Sequence, residues 1–172
     1  MLYLIAFLLC VPAANWMIGN VGAECVPDGP CLIPVGFGLM APSGVLVVGL
    51  AFVLRDMVHR RLGAWHAIAG IVIGAAASLV VAPPALAMAS AVAFLLSELS
   101  DFAVYAPLAR RRWWTAVIAS SVVGSIVDSA AFLTIAFGGL DYLTGQVVGK
   151  LWAVCVAVLA LWMFRGREVG KL

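Results

Sequence analysis

Charged residues are scarce in this chain. Only 10% of its 172 residues are Asp, Glu, Lys or Arg, whereas 65% are hydrophobic and the mean hydropathy is +1.15. A soluble domain usually carries about a quarter charged residues and has no means of hiding so much apolar surface. The natural surroundings of the chain are a lipid bilayer, so the sequence predicts an integral membrane protein.

The sequence also lacks the motifs of common catalytic and nucleotide-binding sites. It has no glycine-rich loop ending in Lys and Ser or Thr, no His and Cys set at metal-ligand spacing, and no Gly-x-Ser-x-Gly turn. Its two histidines lie away from the acidic residues, and a net charge of +2 is too small to indicate nucleic-acid binding. We therefore expect neither an enzyme nor a bound metal or cofactor.

Six apolar runs are long enough to cross a bilayer, which takes roughly 20 residues of helix. They lie at 2–18, 42–59, 65–81, 84–105, 113–137 and 142–164. Because backbone polar groups in hydrocarbon must bond to one another, each run is predicted to be a helix. The expected fold class is all-α: one transmembrane domain over residues 1–172, built as a bundle of six transmembrane helices.

The N-terminal third leaves one alternative open. The first run resembles the apolar part of a signal peptide but lacks a positive n-region, so we expect it to be retained as a span. The connection at 20–38 is rich in Gly and Pro, which predicts an irregular loop with turns. Cys25 and Cys31 in this loop either form a disulfide in an oxidising compartment or remain two free thiols.

The basic residues indicate the orientation of the bundle. They occupy alternate connections and the C-terminal tail: Arg60, Arg61, Arg110, Arg111, Arg112, Arg165, Arg167 and Lys171. The other connections hold Glu24, Asp28 and Asp141 but no Lys or Arg. Since basic loops stay on the cytoplasmic side, both termini are predicted to be cytoplasmic.

A second set of charged residues lies inside the predicted spans: Arg55, Asp56, Glu98, Asp101, Asp128 and Lys150. An ionised side chain at the centre of a bilayer costs about 2.5–3.5 kcal/mol on insertion scales, so such residues normally face a protein interior or a water-filled cavity. Six of them indicate a shared polar cavity. For Arg55 and Asp56, a position at the membrane interface is an equal alternative.

The depths of these residues predict their partners. With a rise of about 1.5 Å per residue, Asp128 and Lys150 reach similar depths in neighbouring helices and are predicted to pair. Glu98 and Asp101 lie one turn apart on one helix face, within reach of Arg55. The structural alternatives are a packing salt bridge for the first pair and an ion-pair network with Arg55 for the two acids.

The uncharged polar residues in the spans are weaker candidates. Asn15 lies at a depth similar to that of Asp128, but a hydrogen bond between helices would also explain it. A stripe of small residues in the fifth span, Ser121, Ser125 and Ser129, more often allows close helix packing than ligand binding.

Four stretches carry a resemblance to a known family: "LRDMVHRRLG", "SELSDFAVYAPLARRRWW", "ASSVVGSIVDSAAFLTIAFGG" and the lysine of "VVGKLW". In this order they resemble the queuosine precursor transporter family, also grouped as vitamin uptake transporters, from about Phe52 to Trp152. The resemblance implies import of 7-cyano- or 7-aminomethyl-7-deazaguanine, precursors of the modified tRNA base queuosine, across a bacterial inner membrane. The acidic and lysine positions of the family carry over to Asp56, Glu98, Asp101, Asp128 and Lys150.

The chemistry of such a base extends the set of expected binding residues. Its ring N–H and exocyclic amine suit a carboxylate, for which Glu98 or Asp128 is preferred, and its carbonyl needs a donor such as Lys150 or Asn15. Phe94, Phe132 and Trp152 are candidates by depth for flanking the flat ring. The predicted substrate-binding residues are Glu98, Asp101, Asp128, Lys150, Asn15, Asp56 and Trp152.

Two kinds of transport protein fit the sequence. The first is a transporter that works alone or as a homo-oligomer, with the lipid bilayer and the substrate as its partners. The second is a substrate-binding membrane subunit of the energy-coupling-factor type, which docks onto an ATP-driven module. The small residues of "GIVIGAAAS" offer a helix face for such docking. A structural or assembly protein would leave the buried charges without a purpose.

Overall fold

A helical bundle with a small antiparallel sheet forms the chain in a computed structural model, which describes residues 2–27, 29–109 and 113–169. The described elements, in chain order, are α1 (Leu2–Asn20), β1 (Glu24–Cys25), β2 (Cys31–Gly36), β3 (Leu39–Pro42), α2 (Val45–Leu62), α3 (Ala64–Ser78), α4 (Pro84–Ala109), α5 (Trp113–Phe137) and α6 (Leu143–Val169). Each helix coincides with one of the six apolar runs, so the six predicted helices are confirmed.

Fewer helices meet a strict criterion for crossing a membrane. Within the described residues, three stretches are long and apolar enough: Leu2–Asn20, Pro84–Asp101 and Ala119–Phe137. Ala64–Ser78 and Leu143–Ala157 are shorter apolar helices. The crossing of the membrane by all six helices stays a prediction. So does the cytoplasmic location of the termini, because Arg110, Arg111, Arg112 and Lys171, as well as Asp28, lie outside the described residues.

The connection between α1 and α2 is an ordered sheet rather than the irregular loop expected from its Gly and Pro content. Its strand order is β1-β2-β3, with Cys25 opposite Cys31 and Leu32 opposite Pro42. Residues 36–38 turn the chain with positive φ at all three positions, which two glycines accept without strain. The prediction of an all-α fold therefore omitted a small sheet.

A disulfide bond joins Cys25 to Cys31, which decides between the two alternatives left open for these cysteines. The bond links β1 to β2. We call the end of the bundle that carries this sheet the hairpin end. It also contains the end of α1 and the start of α2.

Glycines set the close approach of several helices. A Cβ atom added at Gly70 would lie 2.9 Å from the Phe7 ring, and one at Gly74 would lie 3.0 Å from the Val11 side chain. These two glycines of "GIVIGAAAS" therefore pack α3 onto α1 inside the chain. The part of the α3 face that they form is already occupied and is not a free docking surface.

Among the described residues, three apolar clusters form the core, and one of them, with Val35, Ala41 and Val45, joins the sheet to α2. The other two lie between the helices. One contains Phe7, Ile71 and Phe94, from α1, α3 and α4, and the other contains residues of α1, α4 and α5 that include Ile18 and Leu133. Aromatic rings meet edge to face within the first cluster, where the Phe7 and Phe94 centroids are 6.4 Å apart. Buried polar side chains gather where α1, α2, α4, α5 and α6 meet, and this is the candidate site.

Candidate functional site

A buried ion pair lies at the centre of the site. Lys150 on α6 donates to Asp128 Oδ2 at 2.5 Å and to Ser129 Oγ at 2.6 Å, both on α5. Lys150 is 2% exposed and Asp128 is 3% exposed. The pairing predicted from helix depth is confirmed. A buried charge pair of this kind is stable only when further hydrogen bonds satisfy it, and the Ser129 hydroxyl supplies one.

The ion pair borders an internal space that we call the first cavity. About 20 Å³ of it is open to a water-sized sphere. Residues of α1, α2, α4, α5 and α6 line it, and its polar wall includes Asn15, Ser90, Asp128, Gln146 and Lys150. Phe94 and Phe132 supply aromatic surface. A small set of convergent polar groups on an apolar background is typical of small-molecule sites.

Two amide groups of the first cavity are buried with an atom unpaired. The Ser90 hydroxyl donates to Asn15 Oδ1 at 2.7 Å, which fixes the amide so that Nδ2 has no partner among the described residues. Gln146 Oε1 is a buried acceptor that likewise lacks a partner in the described part of the chain. Leaving a buried polar group unpaired costs about 1–3 kcal/mol. A ligand that accepts from Asn15 and donates to Gln146 would recover this free energy.

A second space lies beyond the ion pair, away from the hairpin end, and we call it the second cavity. About 110 Å³ of it is open to a water-sized sphere, and its lining includes Phe52, Arg55, Asp56, Asp101, Ser125 and Lys150. Lys150 is the residue that the described linings of the two cavities have in common.

Arg55 organises the charges near the second cavity. Its Nη1 atom contacts Glu98 Oε1, and its Nε atom lies 3.1 Å from Asp56 Oδ1. Arg55 is buried, whereas the Asp56 side chain is 60% exposed. The ion pair between Glu98 and Arg55, which was the alternative to a binding role for Glu98, is therefore present. Asp101 lines the second cavity, as does Asp56.

The structure divides five of the seven predicted binding residues between two places, while Glu98 and Trp152 are not among the described residues that line either cavity. Asn15, Asp128 and Lys150 meet at the first cavity, while Asp56, Asp101 and again Lys150 line the second.

Trp152 is not among the described residues that line either cavity, and it is 51% exposed. It was chosen by depth alone, but two residues of helix rotate by about 200°, so it lies on nearly the opposite face of α6 from Lys150.

Two residues of the first cavity were missed by the sequence reasoning. Gln146 precedes Lys150 by four positions, and Ser90 precedes Phe94 by four, so each shares a helix face with a residue that was selected. Examining the residues one helical turn before and after each buried candidate would have found both. Gln146 was instead passed over within a glycine spacing, "GQVVG".

Comparison with known proteins places the chain in a family. Residues 78–165 match the model of the family described as "Putative vitamin uptake transporter". This stretch is just over half of the chain and includes all of α4, all of α5 and most of α6. The chain belongs to this family. No curated protein and no solved structure matches it.

Membership in the vitamin uptake transporter family identifies the chain as a membrane transport protein. The matched stretch includes four polar residues of the first cavity, Ser90, Asp128, Gln146 and Lys150. Asn15 and the first turn of α2 complete the cavity from outside it. The chemical selectivity of the site therefore depends on both halves of the chain.

Proposed function

We propose that this transporter imports a 7-deazaguanine base, a precursor of the modified tRNA base queuosine, across a bacterial inner membrane, working alone or as a homo-oligomer. The observation that carries the proposal is the pair of unpaired amide atoms in the first cavity, Asn15 Nδ2 and Gln146 Oε1. A deazaguanine offers the complementary groups, because its ring carbonyl accepts a hydrogen bond while its ring N–H and exocyclic amine donate.

In the proposed complex the base lies between the two amides. The Asn15 amide donates to the ring carbonyl, and Gln146 Oε1 accepts from the exocyclic amine or the ring N–H. Phe94 and Phe132, which are 4% and 7% exposed, cover the apolar faces of the ring. About 20 Å³ of the first cavity is open to a water-sized sphere, which is room for about one water molecule, so neighbouring side chains must move apart to admit the base.

In this arrangement the Asp128 carboxylate does not bind the edge of the base, which is the role that was preferred for it from the sequence. Asp128 is held by Lys150 at 2.5 Å, so using it to bind the edge of the base would require breaking a buried ion pair. A neutral base held by neutral amides leaves the pair intact. Asp128 and Lys150 then form the polar floor of the cavity, where the ammonium group favours the partial negative charge of the base carbonyl.

The proposed orientation places the hairpin end outside the cytoplasm. The Cys25–Cys31 disulfide lies at that end, and disulfides persist in oxidising compartments. Arg61 lies near the opposite end, at the close of α2, where basic residues are expected to be cytoplasmic. The two observations support the same direction.

Binding of a labelled 7-deazaguanine base to the purified chain in lipid nanodiscs tests the proposal. Asn15→Leu and Gln146→Leu should each weaken binding at least tenfold, because each removes one of the two proposed hydrogen bonds from a desolvated site. Trp152→Ala is the control, since this exposed residue is not among the described lining of either cavity. Guanine, riboflavin and biotin serve as competitors. Absence of base binding by folded protein would refute the substrate assignment.

Uptake into proteoliposomes separates the proposed transporter from a substrate-binding subunit of an energy-coupling-factor system. A transporter that works alone moves the base into liposomes that contain only this chain. A chain that binds the base but does not move it would instead need an energising module. The Gly70 and Gly74 positions give no support to docking, because α1 covers them.

A further inference from the structure

A layer of side chains that includes Lys150, Phe52 and Phe94 separates the two cavities. Lys150 borders both spaces, Phe94 lines the first cavity and Phe52 lines the second. The rings of Phe52 and Phe94 lie side by side, with centroids 5.4 Å apart. A solute that left the first cavity toward the end opposite the hairpin would therefore meet Lys150 and these two rings.

Two cations lie close to the Phe52 ring. The Lys150 Nζ atom lies 5.6 Å from the ring centroid, and the Arg55 Cζ atom lies 5.7 Å from it. Both distances fall within the range of a cation–π interaction. Each cation is also anchored by a carboxylate, Lys150 by Asp128 and Arg55 by Glu98. The ring thus joins the two ion pairs into one layer between the cavities.

The far side of this layer has its own binding groups. Asp101 and Asp56 contribute carboxylates to the second cavity, and Ser125 lines it with a buried hydroxyl that has no partner among the described residues. Carboxylate and hydroxyl oxygens accept hydrogen bonds from amines and ring N–H groups. The second cavity is thus suited to the donor edge of the same kind of ligand as the first.

We propose that the second cavity is a second binding chamber on the transport path, which receives the flat, donor-rich base after it leaves the first, and that Phe52 closes the passage between them. This inference rests on the proposed function. Movement of the Phe52 ring away from Lys150 opens the passage, and Lys150 stays in contact with the path from both chambers. Glu98 acts through Arg55 as a positioning residue for the ring.

Cysteine labelling of the full chain in proteoliposomes tests the passage without any ligand. The background carries Cys10→Ser and Cys155→Ser, which removes the two free cysteines and keeps the disulfide. Phe37→Cys, at the 84% exposed tip of the hairpin, reports which face of the membrane holds the hairpin end. Ser90→Cys reports on the first cavity and Ser125→Cys on the second. A small membrane-impermeant methanethiosulfonate is added to one side at a time.

We expect Ser125→Cys to react from the face opposite the hairpin. Adding Phe52→Ala should raise the rate at which Ser90→Cys reacts from that face at least tenfold. The matched control is Leu54→Ala, which also truncates a partly buried α2 side chain packed on the same apolar cluster. An unchanged Ser90→Cys rate in folded Phe52→Ala protein would overturn the inference, and so would an equal rise in Leu54→Ala.

Base binding and uptake by Phe52→Trp provide the second measurement. The larger ring should lower uptake at least tenfold while the Kd for the base stays within threefold of wild type, because the first cavity keeps its amides. Equal losses of binding and uptake would contradict a role confined to the passage. If the labelling results hold but no base binds, the substrate assignment fails and the passage stands. If the base is bound and carried but labelling is unaffected, the passage fails and the proposed function stands.

Discussion

Replacing Lys150 by methionine removes the positive charge of the buried ion pair while keeping most of the side chain volume. Lys150 and Asp128 are 2% and 3% exposed, so the Asp128 carboxylate would be left in the bundle without its cation. Breaking a buried pair by removing one partner typically costs about 3–5 kcal/mol. We expect Lys150→Met to lower the free energy of unfolding by about 4 kcal/mol.

The double variant separates the cost of an unpaired charge from the net contribution of the pair. Lys150→Met combined with Asp128→Leu removes both charges and fills the space with apolar atoms. Buried ion pairs replaced in this way are often neutral or more stable. The double variant should therefore lie within about 1 kcal/mol of wild type, although each single variant loses several times that amount.

The free energies of unfolding are measured on the protein in mixed detergent micelles. The fluorescence of its six tryptophans reports the unfolding. If the pair is buried and coupled, the double variant must lose less free energy of unfolding than the sum of the losses of the two single variants. If instead the double variant loses the sum of the two single losses, the carboxylate and the ammonium do not depend on each other and the reasoning is refuted. Measuring base binding by the stable double variant then tells whether the pair is needed for the ligand or only for the fold.

Three further variants test separate parts of the structure. Glu98→Gln neutralises one of the two carboxylates that contact buried Arg55 and should lower the free energy of unfolding by about 1–3 kcal/mol, with base affinity changed less than twofold in a binding assay. Trp152→Ala alters an exposed residue and should shift stability by less than about 0.5 kcal/mol in the same unfolding assay. Gly49→Ala would place a Cβ 2.5 Å from that of Ala153 and should cost about 1–3 kcal/mol by forcing α2 and α6 apart, which thermal unfolding would detect.

The positions of the helices were predictable because hydrophobic run length depends directly on the solvent. The predicted run at 113–137 and α5 coincide at both ends, and the run at 84–105 begins where α4 begins. The sheet was missed because its strands are short and contain Pro34 and Gly36, which are typical of loops.

The sequence predicted how deep the site residues lie in the bundle, but not which face of each helix points toward the site. The pairing of Asp128 with Lys150 was predicted correctly, because the depth of a residue in a helix follows from the rise per residue alone. Which face of α6 points inward depends on how the helix packs, and that is why Trp152 was selected and Gln146 was not. An uncharged amide among apolar residues also gives no signal as strong as that of a buried charge.

The seating of the sheet on α6 has a consequence for how a solute arrives. Gly145 lies directly against the Met40 carbonyl, and Gly149 lies against Val45 and Val35, so no gap remains between the sheet and this side of α6. Beside the first cavity, α4 contacts α1 through side chains: the hydrogen bond from Ser90 to Asn15 and the apolar contacts around Ile18. Side chains rotate far more readily than packed backbones separate. We therefore expect a solute from the hairpin end to enter beside α1 and α4, where the Asn15 amide is one of its own proposed ligands.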